Sequence, residues 1–411
     1  MKRSALGFEK SIGAALVLIL ASLSGCSPKG PEGTRYQLPW FDRQGQYGIQ
    51  VVNIKTYNEP EFFRGEAAQI LVEPTDASGE LTGDRPVGRY IKRSDGVIVP
   101  ADQDSLMATS VYAHFERLRE LDQKLGIQLK WPAKIGIQAQ IFDGQRNIRD
   151  NALYDGRYDA LLIVPTERAR LPVALNGGVI AHEHFHGIFQ AGILSSLPRE
   201  AIVPHGCNWA LEDAKSLDEV VRAIEAQKST DVIKGPLVSP ASYNAFLLRA
   251  LNEGLADYWA WVYTGDADFI AHSLASEKES RTMGKAAEKL PSIAAINDRL
   301  RAFEFYKEKD RLQVREAYLL GTHYARFMRS MSLKLSGHKA PTFAQRAKAA
   351  QSLIAVLPRL RETVATSYSE QRISPDALVD LLSEEWARTS PESCQEIDTF
   401  SSSGKAKGCK P

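Results

Sequence analysis

Apolar positions fall into short, turn-bounded runs in the first part of the chain and recur at three- and four-residue intervals through most of the remainder. Between about residues 47 and 100, "YGIQVVNIKTY", "AAQILVEP" and "GRYIKRSDGVIVP" predict strands, the last folding back on itself at "SDG". The period then changes. "DSLMATSVYAHFERLRELDQKLG", Asp104 to Gly126, predicts a helix capped by Asp104 or Ser105 and closed by Gly126. Strands are expected again at "AKIGIQAQIFDG" and "YDALLIVP". From about 175 the pattern is nearly all helical, with long periodic stretches near 211–228, 243–263, 307–335, 342–365 and 375–388. The expected fold class is α+β, a mixed α/β N-terminal half and a mostly helical C-terminal half, with a cleft where they meet. The chain divides on this reading into a β-rich region 37–103, an α/β lobe 104–192, an insertion 193–242, a helical lobe 243–390 and a tail 391–411.

The first residues stand apart from this pattern. Lys2, Arg3 and Lys10 precede an apolar run from Ile12 to Leu23, too short to span a bilayer comfortably, which ends in "LSGC". This is similar to a bacterial lipoprotein signal, with residues 1–25 removed and Cys26 lipidated. Residues 26–36 then read as a flexible tether. The expectation is a cell-envelope protein anchored in a membrane through Cys26. Ser27 after the cysteine favours the outer membrane if the host is Gram-negative. Removing 1–25 takes away a net charge of +2 and turns the formal net charge from +1 to −1. No basic excess points to nucleic acid. Cys394 and Cys409 lie close together in an oxidising compartment, where a disulfide is expected, which leaves Cys207 single.

The chemistry concentrates in "GGVIAHEHFHGIFQAGI", Gly177 to Ile193, where three of the eight histidines fall within five residues. Two spacings overlap there. On a helix, His182 and His186 share a face and His184 points away. On a strand, all three histidines converge and Glu183 points away. Val179, Ile180, Phe185, Ile188 and Phe189 recur at helical intervals between flanking glycines, which favours the helix. A helical H-E-x-x-H places two imidazoles one turn apart, as two corners of a tetrahedral Zn²⁺ require, and a glutamate beside the open corner. A third protein ligand is then needed. "ALNEGLADYWAW", Ala250 to Trp261, offers Glu253 and Asp257 four residues apart on a helix that is otherwise apolar and aromatic. Buried carboxylates are costly there unless a cation compensates them. Glu253 is the candidate ligand, and Asp257 and Asn252 are candidate supports of the ligand side chains.

H-E-x-x-H followed by N-E-G-x-A-D resembles the gluzincin zinc metallopeptidases, the thermolysin-like ones most of all, with fungalysin-like and peptidase MA-like relatives beside them. The resemblance covers roughly 104–335. It implies a zincin-like fold of two lobes about an active-site cleft and one Zn²⁺ held by His182, His186 and Glu253. It also implies Glu183 as general base, and Asp257 supporting the first histidine. "NALY", Asn151 to Tyr154, is similar to the segment with which that family holds the substrate backbone, so Asn151 and Ala152 become candidate substrate-binding residues. Two departures stand out. His186 and Glu253 are 67 residues apart, longer than in thermolysin though not than in peptidase MA-like relatives. The family's transition-state histidine has no clean match; "AYLLGTHYARFM" offers Tyr318 first and His323 second.

The function expected is hydrolysis of peptide bonds in a protein or peptide substrate. Two other classes remain: a binding lipoprotein with an inactive gluzincin fold, and a non-hydrolytic metal protein using His182, His184 and His186 on a strand, as cupin-like dioxygenases do.

Overall fold

Tyr36, Leu38 and Trp40 turn inward while Arg35, Gln37 and Pro39 turn outward, and this period of two makes Thr34–Phe41 the first strand, β1. The structure, a computed structural model, describes residues 33–77, 80–84, 87–143, 146–197, 238–304, 306, 309–389 and 391–409. The leader, Cys26, His205, Cys207 and most of the expected insertion lie outside the described residues. β1 begins at Thr34, within the span 26–36 expected as a tether.

The strands that follow are β2 (Tyr47–Ile54), β3 (Ala68–Ala77), β4 (Glu80–Asp84), β5 (Tyr90–Lys92), β6 (Ile98–Pro100), β7 (Ala133–Ile137), β8 (Phe142–Asp143), β9 (Arg146–Asn147), β10 (Ala152–Asp155) and β11 (Ala160–Ile163). They form a four-stranded sheet in the order β2-β1-β6-β5, a five-stranded sheet in the order β10-β11-β7-β3-β4, and a two-stranded ribbon β8-β9. In the five-stranded sheet β3, β7 and β11 run parallel, and β10 lies antiparallel to β11 at one edge.

The helices used below are α1 (Gln103–Leu125), α2 (Gly177–Gly192), α3 (Pro240–Thr264), α4 (Lys278–Arg281), α5 (Ile293–Phe303), α6 (Lys309–Ser336), α7 (Phe343–Ser367), α8 (Ala377–Thr389) and α9 (Cys394–Phe400). About half the chain is helical, so the molecule is a mixed α/β protein, as expected. The cap of α1 is Asp102, whose carboxylate accepts the Ser105 N–H; neither Asp104 nor Ser105 holds that position. The residues after 390 are not a loose tail. Ile397, Phe400 and Ala406 are buried in the core, and the Cys394–Cys409 disulfide closes the segment.

One continuous apolar core runs from β1 through α1, α2 and α3 to α9. Its tightest crossing matters for the site. A Cβ on Gly254 of α3 would lie 2.1 Å from the Gly321 carbonyl oxygen, and one on Gly321 of α6 would lie 2.6 Å from the Ala250 oxygen. The two helices therefore meet backbone to backbone, which only paired glycines allow. That contact sets the turn of α6 carrying Tyr318 beside the turn of α3 carrying Glu253.

Candidate metal centre

The helix that presents the histidines is fixed at its start. Asn176 caps α2, accepting the Gly178 and Val179 N–H groups at 3.0 and 3.3 Å, while its own amide donates to the Phe269 carbonyl and the Ser273 hydroxyl, both at 2.9 Å. With α2 helical, His182 and His186 fall on one face and meet α3. The Nε2 atoms of the two rings are 3.1 Å apart; Glu253 Oε2 is 3.3 Å from the first and 3.8 Å from the second. All three residues are buried, and they form the group among the described residues that could hold a metal ion.

The outer faces of the rings explain why a cation suits the centre. His182 Nδ1 donates to Asp257 Oδ1 at 2.9 Å, and His186 Nδ1 donates to Asn252 Oδ1 at 3.0 Å. With each proton placed on Nδ1, both Nε2 lone pairs point at one another and at the Glu253 carboxylate. Glu253 Oε2 is buried and makes no hydrogen bond of normal geometry among the described residues. Three electron-pair donors facing one point repel each other unless a positive charge lies between them. A tetrahedral ion with ligands at about 2.0–2.1 Å would hold them roughly 3.3 Å apart, close to the separations observed. The residues fit the ion.

A second cation completes the surroundings. Arg281, on the short helix α4, is buried and grips Asp257 through two bonds, Nη2 to Oδ1 at 2.6 Å and Nε to Oδ2 at 3.2 Å. Its Nη2 stands 4.0 Å from Glu253 Oε2, and its guanidinium lies 4.7 Å from the centre of the Tyr318 ring. Tyr318 is thus brought to the rim of the centre. His323 has a different neighbour: its Nδ1 accepts the Glu288 N–H at 3.3 Å and its Nε2 lies 3.8 Å from the Glu288 carboxylate.

Glu183 stands beside the group, its Oε2 4.0 Å from His186 Nε2. That oxygen accepts the Tyr154 N–H at 2.9 Å, so the edge strand β10 aims the carboxylate. The expected substrate-binding residues sit one step away. Asn151 turns its side-chain oxygen back onto the Ala152 N–H at 2.9 Å, and Ala152 is buried. The backbone group that β10 offers to the centre is that of Tyr154.

His184 does not join the cluster. It faces α1, where its Nε2 lies 3.1 Å from the buried Asp122 carboxylate, between Phe115, Trp131 and Trp259. A three-histidine site on a strand is therefore not what the chain forms, because α2 turns His184 away from its two neighbours.

Burial and charge set the proton balance. Burial disfavours the His182 imidazolium, yet the Asp257 and Glu253 carboxylates beside it outweigh that and raise it to about 9. Burial, with the His182 charge, lowers His186 to about 4. Burial lifts the Glu183 carboxyl to about 8, with Glu253 adding to the rise and His182 opposing it. Glu253 is held low despite its burial by both imidazoles and Arg281. At neutral pH the centre thus keeps a proton on His182 where the ion would bind. Binding must expel it, so metal uptake at pH 7 is expected to release at least one proton per chain. The apparent affinity is expected to rise by up to about tenfold per unit from pH 7 to 9, and to fall as pH drops. Calorimetry in buffers of different ionisation enthalpy measures the release; an affinity flat across this range would refute the arrangement.

Arg281 and Asp122 escape sequence reading for different reasons. Arg281 lies in a polar stretch, "SEKESRTMG", with no periodicity around it. Asp122 did carry a signal, since it continues the apolar spacing Val111, Phe115, Leu118 along α1 and so had to be buried. No family model matches the chain, and no curated protein or solved structure does.

Proposed function

We propose that this chain is a zinc-dependent peptidase of the gluzincin type, in which His182, His186 and Glu253 hold Zn²⁺ and Glu183 is the general base. The observation that carries the reading is the convergence of His182 Nε2, His186 Nε2 and Glu253 Oε2, with Glu183 Oε2 4.0 Å from the nearest of them. Two imidazoles and one carboxylate, with a glutamate kept free of the set, is the ligand pattern of catalytic rather than structural zinc.

Zinc, when bound, supplies Lewis acidity toward a carbonyl and acidifies water. The chain's own groups do the rest. Glu183, aimed by the Tyr154 N–H and 4.0 Å from His186 Nε2, is the carboxylate placed to take a proton from the attacking water and return it to the leaving amine. Asp257 and Asn252 keep the two rings turned so that both Nε2 atoms face the centre. Arg281 neutralises Asp257, and Tyr318 beside it is the donor placed to meet a developing oxyanion. The edge strand β10 is where an extended peptide would add, within the two-lobed zincin-like arrangement that this proposal includes.

The test is cleavage of a denatured protein pool by zinc-loaded protein, read by mass spectrometry. Cleavage is expected, abolished by a chelator and restored by zinc. Folded, zinc-loaded protein that cuts nothing would leave the binding-lipoprotein reading instead. The envelope anchor is part of the proposal. No helix among the described residues is long and apolar enough to cross a membrane, so attachment would rest on Cys26. Wild type is expected in the membrane fraction and Cys26→Ser outside it or uncleaved; equal fractionation of the two would remove the anchor.

A further inference from the structure

Seven large apolar side chains stand exposed among the described residues, and five of them gather at the four-stranded sheet. Ile49 and Val51 on β2 are 64% and 53% exposed, and Ile91 on β5 is 60% exposed. Phe62 and Val87 stand just before β5, where the Gly88 N–H donates to the Glu61 carbonyl at 2.8 Å.

Register puts the first three on one face. Val51 pairs with Gln37 on β1, and Ile91 pairs with Val99 on β6. Tyr36 lies beside Ile98 in the parallel pair β1–β6 and turns inward, so Gln37 and Val99, one residue on in each strand, turn outward together. Val51, Gln37, Val99 and Ile91 therefore form one row across all four strands, about 14 Å wide at about 4.8 Å per strand. Ile49 and its partner Pro39 form the next row. Single exposed apolar residues are ordinary, whereas a contiguous group on one face marks a contact surface. Two cations border the row. Arg93 donates to Gln37 Oε1 at 2.9 Å, and Arg35, two residues before Gln37 on β1, donates to the Asp95 carbonyl. The Asp95 carboxylate, 3.0 Å from Arg93, answers one of them, and the three groups together keep a positive charge.

The chain ahead of β1 says what meets this face. Thr34 follows Cys26 by eight residues. Eight residues span at most about 29 Å when fully extended. Lipid on Cys26 therefore holds the sheet within reach of the headgroups. A handful of apolar side chains binds a bilayer only marginally, but a tether turns that contact into an intramolecular one at high effective concentration. We infer that the outer face of the four-stranded sheet lies on the phospholipid bilayer, with Ile49, Val51 and Ile91 at headgroup depth and Arg35 and Arg93 against lipid phosphates. The inference rests on the proposed anchor at Cys26, and it gives the anchored protein one orientation in place of a free swing.

The test uses the full chain, expressed with its leader, purified in detergent and reconstituted into phosphatidylethanolamine and phosphatidylglycerol vesicles that carry spin-labelled lipid. A bimane fluorophore is attached in three separate variants, Val51→Cys, Ile91→Cys and Phe142→Cys. Each also carries Cys207→Ser, so that only the introduced thiol reacts; Cys394 and Cys409 are already joined. Phe142 is the control, 62% exposed but on the separate β8–β9 ribbon. All three positions are exposed, so the substitutions should leave the fold intact. The lipid label is expected to quench the fluorophore at positions 51 and 91 and to leave position 142 bright. No quenching at 51 and 91, or equal quenching at all three, would overturn the inference. So would disulfide cross-linking of Val51→Cys protein between copies with the label shielded from lipid, which would put a second copy on the face. The mass of the N-terminal peptide reads the anchor separately. Quenching at 51 and 91 in protein without acyl chains on Cys26 would sink the anchor and leave the membrane face standing. Acylated, vesicle-bound protein without that quenching would do the reverse.

Discussion

Glu183→Gln protein is expected to bind zinc as wild type does and to lose peptide cleavage by a factor of about 10²–10⁴. The substitution is nearly isosteric. The amide oxygen can still accept the Tyr154 N–H that now holds the carboxylate at 2.9 Å, so α2 and β10 should keep their relation. What disappears is the ability to take a proton, since an amide has no basic oxygen near neutral pH. The neighbouring ligands are untouched: His182 and His186 each keep the outer partner that fixes their tautomer. Metal stoichiometry and kcat/KM on the same preparation separate the two effects. Loss of zinc together with activity would make Glu183 a ligand, and retained activity would end its role as base.

Glu253→Ala is expected to fail at the earlier step. It removes the only anionic member of the convergent group and leaves two Nε2 atoms 3.1 Å apart with no carboxylate between them and Arg281. Affinity for zinc should fall by more than the roughly 10–100-fold that loss of an outer-shell partner costs, so that dialysed protein retains almost none. His184→Ala is the contrast. It should keep its zinc while losing thermal stability, by about 3–5 kcal/mol, because it strands the buried Asp122 carboxylate. Metal analysis of the two variants beside their unfolding curves reads both outcomes. If His184→Ala loses zinc as completely as Glu253→Ala, the helical spacing has been misassigned.

These effects trace to a part of the sequence that was unusually readable. The H-E-x-x-H ring pair and the Glu253–Asp257 pair were legible because helical spacing puts each pair on one face, and two residue types as polar as Glu and Asp do not enter an aromatic helix without a reason, whereas Asn252 came only with the N-E-G-x-A-D resemblance. The helices 240–264, 309–336, 343–367 and 377–389 followed from their period and came within a few residues of expectation. β1 was missed although its alternation was present in "TRYQLPWF", because the tether was carried three residues into it. The docking of residues 391–409 was not legible because their Ser, Gly and Lys content hides the few apolar residues, Ile397, Phe400 and Ala406, that hold them to the core. The choice between Tyr318 and His323 could not be made from spacing. It depends on which side of α6 meets Arg281, and that is set by the Gly254–Gly321 crossing, a contact between helices far apart in the chain. Arg281 and the Tyr154 N–H belong to the same class, groups whose chemistry comes from where the fold puts them.

The most direct test of the metal centre is X-ray absorption at the zinc edge on protein loaded with one equivalent of zinc. The arrangement of His182, His186 and Glu253 predicts a first shell of nitrogen and oxygen only, with the outer-shell scattering of two imidazoles. A third imidazole, which would bring His184 into the shell, or a sulfur ligand, which would bring in Cys207, would contradict it.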